Sequence, residues 1–563
     1  MANELKHNTS VWLALKNRVF FRLWLASLIS GVCVGAHSTV ATWLMHMSTG
    51  PSTLLLSLLT TAASLPFFLF TFPAGALADL SNRRALFIAT YIWLASAAGL
   101  LAVFAWLHLV HRYVILATAF LMGTGFAFNA PVWACVIPEI VRKEEIASAI
   151  TLGGVQMNFA GIVGPALGSL LLPIVGPPII FALNALAFLS VAWVIFRVYH
   201  AQRRPNPHLE NFLESFASAL RYVQYTPGIQ VILTRDFLFG LFIAAVPALL
   251  PVVALRHLQL TGSQLGFVFT AMGIGSLLGA ALLLPYGRAK TTPNLLTILA
   301  GALLVAVLVL MAIAQNLWIF LPVAALAGAS WTVSASELWI AGQQAMPDWA
   351  RGRMNALHMV ASQGGVALGA VFWGAAAASW GLRVTLVGGA LLLTVSLALA
   401  IPLSIDFARG LDLDPAPLKA AHEFSLTPKE KDGPVTVTTE LIIRLEDREE
   451  FITLTKELRL IFLRNGASLY RVYEILEHPG TFRTEMRVKS WAEYVRQHAR
   501  MTKTETELAE RVQAMHSGEL KPVVGHSLGS VPQTVGGSLE QARKGKQRRL
   551  FSRFTWPGRH RFK

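Results

Sequence analysis

Twelve runs of about twenty apolar residues, separated by short polar breaks, set the terms for this chain. They lie at roughly 19–45, 52–77, 84–107, 112–135, 146–172, 177–197, 228–255, 263–287, 291–315, 317–342, 354–379 and 382–405. A helix rises about 1.5 Å per residue, so each run reaches across a hydrocarbon layer of about 30 Å. Lipid offers the backbone no hydrogen-bond partners, so apolar runs of this length predict helices that satisfy themselves. Charged residues make up 14% of the chain, against about 25% in an average soluble domain. That deficit excludes a chain built around one water-soluble core.

Lysine and arginine divide the loops into two sets. Lys6, Lys16, Arg18, Arg83, Arg84, Arg142, Lys143, Arg203, Arg204, Arg288, Lys290, Arg351 and Arg353 fall on one side, and little beyond Arg112, Arg256 and Arg383 on the other. The positive-inside rule then predicts both termini in the cytoplasm and a multi-pass protein of the inner (plasma) membrane. The net charge of +16 sits in loops and in the last part of the chain. This suits an anionic leaflet rather than nucleic acid. Cys33 and Cys135 both lie in apolar runs and form neither a disulfide framework nor a metal-ligand spacing. The opening residues are polar and carry no signal-peptide cleavage pattern, so the first run is expected to remain. No phosphate-cradling G-x-x-x-x-G-K-[ST] appears, which argues against direct ATP drive. No metal or cofactor is expected.

The chain repeats itself. Pro138-Glu139-Ile140-Val141-Arg142 ends the fourth run, and Pro347-Asp348-Trp349-Ala350-Arg351 follows the tenth. Two six-helix halves, residues 1–197 and 228–405, explain the spacing, with 198–227 as a linker. Within it, Leu209, Phe212, Leu213, Phe216, Leu220 and Val223 recur at helical spacing, which predicts an amphipathic surface helix. Residues 406–433 read as a second linker. Over 434–528 the patterns run strand, helix, strand, strand, helix (491–516), strand, the order of a small α+β ferredoxin-like domain. A basic tail, 529–563, is expected to be disordered.

Two motifs carry a resemblance. Residues 75–84, GALADLSNRR, resemble the loop between helices 2 and 3 of the major facilitator superfamily; Gly75, Leu77, Asp79, Arg83 and Arg84 match it, and Leu80 and Asn82 depart from it. Residues 160–169, AGIVGPALGS, resemble that superfamily's antiporter motif through Gly164, Pro165 and Gly168, with Ala160 and Ser169 in place of glycines. Proline bends a helix and glycines let backbones touch. Residues from about 10 to 405 are similar to the exporter branch that includes enterobactin and macrolide exporters. The resemblance implies a twelve-helix all-α membrane fold of two halves. It also implies a gating role for Asp79, set against Arg142 and the segment starting at Arg351. SWAEYVRQHARMT (490–502) resembles the antibiotic-biosynthesis-monooxygenase family through Ser490, Trp491, Glu493, Arg496, Gln497, His498, Arg500 and Thr502, with Tyr494 in place of a histidine. In that family some members oxidise phenols or degrade haem; dimerisation or regulation is the other reading.

Polar side chains inside spans are site candidates, because lipid penalises them. Glu337 leads as a proton carrier, although pairing with an arginine would equally account for it. In this fold helices 1, 4, 7 and 10 surround the passage, which ranks His37, Asn129, Trp133 and Glu337 first. His358 is a further candidate, and Arg235 and Asp236 are expected to form a local interfacial pair. These readings predict proton-coupled efflux of an amphipathic small molecule, a drug or siderophore, by alternating access. The chain is not expected to be an enzyme; a membrane-tethered monooxygenase and an importer are the alternatives. Self-association through the C-terminal domain is a further expectation.

Overall fold

The computed structural model describes residues 12–49, 52–199, 212–347, 351–406, 412–416 and 428–529. The side chains of 49, 76, 79, 80, 143, 212–216 and 351–353 also fall outside that description, as does the basic tail beyond Gly529. The chain divides into two compact units, Met1–Leu411 and Asp412–Lys563.

The first unit is all helix. Its spanning helices are α1 (Arg18–Thr49), α2 (Thr53–Leu80), α3 (Arg83–Trp106), α4 (Arg112–Ile140) and α5 (Ile146–Val198). After a short α6 (Phe212–Gln224) come α7 (Pro227–His257), α8 (Gly262–Lys290), α9 (Pro293–Ile313), α10 (Leu317–Gln344), α11 (Arg351–Trp380) and α12 (Leu382–Ala400). Among the described residues, eleven helices are long and apolar enough to cross a membrane. One of them, α5, has 53 residues, far more than one crossing needs. It breaks at Gly176, whose φ of 73° only glycine adopts freely. Its two legs make eleven helices into twelve candidate crossings. The expected gap between the fifth and sixth runs falls at this break. Gly381, at φ 85°, likewise separates α11 from α12.

Helix ends meet water and need caps, because the first turn has free N–H groups. Side chains supply them at four tight turns. Ser52 accepts from Leu55 N–H, Thr292 from Leu295 N–H and Asn316 from Ile319 N–H, and Thr261 forms a reciprocal box with Gln264. Asn82, the departure from the loop motif, has the same use. Its Oδ1 accepts from the N–H groups of Arg84 and Ala85 and starts α3.

Helix α6 is present where the amphipathic pattern places it. Its Ala219 and Tyr222 are buried, and the Tyr222 hydroxyl donates to the Ala345 carbonyl at 3.4 Å. The helix is therefore tucked against α7 and α10 at the end of the bundle that carries most of the arginines.

The second unit is a four-stranded antiparallel sheet with helices: β1 (Val435–Ile442), α13 (Arg448–Asn465), β2 (Leu469–Glu474), β3 (Thr481–Val488), α14 (Trp491–Arg500), α15 (Lys503–Ala514) and β4 (Val523–Leu528). The strand order is β2-β3-β1-β4. Val435, Leu441, Phe482, Met486 and Val488 on one face pack with Phe451, Leu454, Leu458 and Ile461 of α13. The single helix expected over 491–516 is two. Thr502 and Glu505 form a reciprocal capping box that begins α15, and Met501 before it is extended. A cap is worth about 1 kcal/mol, enough to favour a new start over a continued helix.

Candidate transport pathway

The two halves of the first unit meet along two seams, α5 with α8 and α2 with α11. Both are built from residues without bulk. A Cβ on Gly266 would lie 2.2 Å from Ser169, and one on Gly273 would lie 2.6 Å from the Gly161 carbonyl oxygen. Across the second seam, a Cβ on Gly374 would meet Ser57 at 2.5 Å and one on Gly364 would meet Phe68 at 2.7 Å. Hydroxyls tie the seams: Ser263 donates to the Ser169 carbonyl at 3.1 Å, Thr270 to that of Ile162 at 3.3 Å and Thr61 to that of Ala367 at 3.1 Å. Ser57 donates to the Ala248 carbonyl at 3.2 Å.

All of these contacts lie toward one end, the end opposite Arg83, Arg142 and Arg288. Toward the arginine-rich end the described residues of these seams are more open. The stripe of α5 that meets α8 through Ser169, Ile162 and Gly161 continues through Gly154 and Ile150 at helical spacing. There a Cβ on Gly154 would touch nothing within 4 Å, and Ile150 is 64% exposed. On α2, Gly75 also has open space around it. Among the described residues, the seams are close from the far end as far as Gly161–Gly273 and Phe68–Gly364 and more open at Gly154, Ile150 and Gly75 beyond them.

The antiporter-motif residues sit at the closed part. Gly164 lies against Gly35 and Val32, and Gly168 against Ala36, so one face of α5 packs on α1. The Pro165 carbonyl and Ser169 face Gly266 of α8. The motif therefore lets α5 touch a helix of its own half and a helix of the other half at one level.

The gating candidates occupy the basic end. Arg83 forms an ion pair with Glu139 at the end of α4, and the Tyr199 hydroxyl donates to the same carboxylate. Arg84 donates to the Phe196 carbonyl and lies 5.1 Å from that ring's centre. Both arginines thus tie the start of α3 to neighbours inside the N-terminal half. Glu139 and Tyr199 were not foreseen; the P-E-x-x-R pattern pointed to the repeat and not to this pairing. Arg142 is exposed, and its backbone N–H donates to Glu145. The side chains of Asp79 and Arg351 lie outside the described residues.

The four leading path candidates do not converge. His37 is buried with its ring 4.6 Å from that of Phe181 in the sixth crossing. Asn129 donates to Thr90 Oγ1 at 3.0 Å, and the Trp133 ring lies 5.4 Å from Phe87, so both face α3. Glu337 is fully buried and accepts from Arg288 Nε of α8. A lone carboxylate at that depth would cost several kcal/mol; the Arg288 pair offsets it.

One expectation is corrected. Arg235 and Asp236 do not pair, because adjacent residues on a helix point about 100° apart. Arg235 reaches toward α9, donating to Asn294, to Thr297 Oγ1 at 2.6 Å and to the Leu403 carbonyl at 3.0 Å. Asp236 faces α11, with Oδ2 3.5 Å from His358 Nε2.

In the second unit the 490–502 run holds the fold. Ser490 caps α14, Glu493 pairs with Arg496 and Arg500, and Arg500 donates to the Asn465 carbonyl at 3.0 Å. Gln497 donates to Met486 Sδ, and Thr502 caps α15. Tyr494 stacks on Trp491 and meets His526 Nε2 through its hydroxyl at 2.9 Å; burial pushes its phenol pKa above the usual value. Among the described residues no cluster of His, Cys, Asp and Glu could hold a metal ion.

Comparison with known proteins fits this geometry. The family described as Transmembrane secretion effector matches residues 9–534, so the match runs through the α+β unit as well as the helices. The chain is 21% identical over 280 residues to Macrolide efflux protein A of Streptococcus pyogenes, covering 49% of this chain and 69% of that protein. It is 24% identical over 410 residues to Enterobactin exporter EntS of Shigella boydii serotype 4, covering 69% of this chain and 95% of that one. Multidrug efflux pump Tap of Mycolicibacterium fortuitum is 27% identical over 264 residues, with 45% and 64% covered. Among solved structures, a bacterial homologue of the human lysosomal transporter Spinster superposes with TM-score 0.53 at 15% identity, over 69% of this chain and 96% of that one. The nucleoside transporter NupG superposes at 0.57 and 8% identity, over 68% of this chain and 100% of that one. Twelve crossings in two halves, seams closed at one end only, and a family match over most of the length lead to one conclusion: the chain belongs to the transmembrane secretion effector family of the major facilitator superfamily, and it is a membrane transporter rather than an enzyme.

Proposed function

We propose that this protein expels an amphipathic small molecule, a drug or siderophore, from the cytoplasm across the inner membrane in exchange for protons. The observation that carries the reading is the one-sided closure of the seams. A passage open only at the basic end is the form a transporter takes before it picks up cargo from that side. The excess of Lys and Arg there supports placing that end, and both termini, in the cytoplasm. One proton moving inward across about 100 mV releases about 2.3 kcal/mol, enough to sustain a roughly 50-fold gradient of an uncharged substrate.

Glu337 is the proposed polar residue of the path, with Arg288 as its partner. His37, Asn129 and Trp133 stand behind it as parts of the wall of the N-terminal half. The basic end would be closed in the alternate state by the 75–84 loop: Gly75 allows approach, Asp79 meets the start of α11 near Arg351, and Arg83, Arg84 and Arg142 set its charge. An anion at a helix start is favoured by the helix dipole. The domain boundaries inferred from composition, 198–227 and 406–433 as linkers and 434–528 as a ferredoxin-like unit, support a separate soluble module. Its open sheet face carries the cross-strand pair Arg483–Glu440 at 2.6 Å and, along β3, the pair Arg487–Glu485 at 2.8 Å. Alternating charges of this kind suit contact with a second copy.

Everted vesicles containing the protein test the reading. They are expected to accumulate macrolides or catecholate siderophores when the interior is acidic, and to release them when the gradient is collapsed. No gradient-dependent uptake of any member of such a panel would contradict it.

A further inference from the structure

Asp236 and His358 form a couple that the account so far leaves idle. Asp236 lies three turns into α7 from its basic end, and His358 two turns into α11. Both are almost fully buried, at 2% and 5% exposure. Their only mutual contact is the 3.5 Å approach of Asp236 Oδ2 to His358 Nε2, longer than a good hydrogen bond. Asp236 Oδ2 and His358 Nδ1 have no hydrogen-bond partner among the described residues. The imidazole packs edge-on against the Trp339 ring, 4.9 Å between centres.

A carboxylate buried this way is costly unless a cation answers it. The nearest permanent cation in sequence, Arg235, is turned to α9 and held by neutral acceptors. Among the described residues, the group facing Asp236 at ion-pair distance is His358, which can itself gain or lose a proton. With one proton between them the couple is neutral overall. With none it leaves a buried negative charge, and with two a buried positive charge. A purely structural pair would be better served by an arginine, as Glu337 is by Arg288.

Other charged or titratable groups stand on the elements packed against the couple, among them Arg221 of α6, which has a partner of its own. On α10 Glu337 is held by Arg288 of α8, and on α6 Tyr222 bonds the Ala345 carbonyl. On α2 and α11, Asp79, Arg351 and Arg353 have side chains outside the described residues. Toward the far end, close glycine contacts shut the α7–α11 interface. A Cβ on Gly240 would lie 2.6 Å from the Ser362 carbonyl oxygen, and one on Gly365 2.3 Å from that of Phe237. The couple is thus sealed on one side, and its histidine is carried by α11, a helix of the moving seam.

We propose that the Asp236–His358 couple, buried between α7 and α11, is the proton-binding site that drives the transport cycle. This deepens the proton-coupled reading above and rests on it. The step is proton transfer alone. In the outward-open state water hands a proton to the couple, making an O–H on Asp236 or an N–H on His358; in the inward-open state the same proton returns to water. No other bond changes.

Two measurements test this, one of them independent of substrate. In proteoliposomes, Asp236→Asn is expected to lower pH-gradient-driven uptake of radiolabelled erythromycin by about tenfold or more, while erythromycin counterflow without a gradient stays within about twofold. His358→Gln should shift the pH profile of driven uptake and likewise spare counterflow. In pH-titrated infrared difference spectra of the intact protein, a titrating carboxyl band should vanish in Asp236→Asn and change its midpoint in His358→Gln. Should Asp236→Asn fail to fold, the His358→Gln shift in midpoint decides. Driven uptake unchanged in Asp236→Asn, or no titrating band that depends on Asp236 or His358, would overturn the proposal. If the wild type moves no erythromycin while the band behaves as expected, the couple stands as a proton site and erythromycin is not its cargo.

Discussion

Replacing Gly273 by leucine is expected to abolish net efflux while leaving the protein folded and inserted. A Cβ at this position would lie 2.6 Å from the Gly161 carbonyl oxygen and 2.9 Å from its carbon. The obstacle is backbone, so no side chain can swing aside. The α5–α8 seam must part instead, at a cost of about 1–3 kcal/mol. That cost falls only on the state in which the far end is closed. In the alternate state the seam is open there and the larger side chain has room. A bias of that size shifts the two-state ratio by roughly 5- to 150-fold. A cysteine at Ser263, whose hydroxyl now ties the closed seam, should therefore become far more reactive to membrane-impermeant reagents from the far side in Gly273→Leu. Unchanged labelling together with normal efflux would remove the seam from the mechanism.

Gly328→Leu should fail differently. Gly328 of α10 faces α8, where a Cβ would lie 1.9 Å from the Met272 carbonyl oxygen. The reciprocal position, Gly275, would bring a Cβ to 1.8 Å from that of Ala325. This contact lies within the C-terminal half and persists in both transport states. Overpacking it costs at least about 3 kcal/mol out of a total stability of about 5–15 kcal/mol. The expected result is a large fall in the amount of folded protein recovered from membranes and a lower Tm, without selective opening of either end. Wild-type yield and Tm for Gly328→Leu would show that α8 and α10 do not approach as described. The same substitution chemistry thus separates a joint between halves from a joint inside one.

The architecture was largely legible because lipid leaves few choices. Run length alone gives the twelve crossings, and the turn at Gly176 lies where the apolar run is interrupted. The side-chain partnerships were less legible. Spanning helices are apolar all round, so periodicity does not say which face of α4 looks inward; Asn129 and Trp133 turn out to face α3. Arg235 and Asp236 look like a pair on paper, yet helix geometry sends them to different neighbours. Asp236 with His358, Glu337 with Arg288 and Arg83 with Glu139 are each brought together by packing between helices distant in sequence. No spacing rule announces such pairs. The split of the last helix pair was readable in principle: Thr502 and Glu505 stand at capping-box spacing, a signal outweighed by the continuing helical pattern over 491–516. The run at 490–502 stood out only through a resemblance, and in the structure its side chains brace α14 against α13 and the sheet.

The account depends on two halves that close one end as they open the other. Distances between paired spin labels measure this directly in lipid nanodiscs. One pair, His111→Cys with Arg383→Cys, reports on the far end; the other, Glu144→Cys with Lys290→Cys, reports on the basic end. At rest the basic-end pair should be long and the far-end pair short. On acidification or addition of a transported compound, a second population should appear in which the basic-end distance shortens and the far-end distance lengthens. Two distances that stay fixed under every condition, or that change in the same direction, would contradict alternating access in this protein.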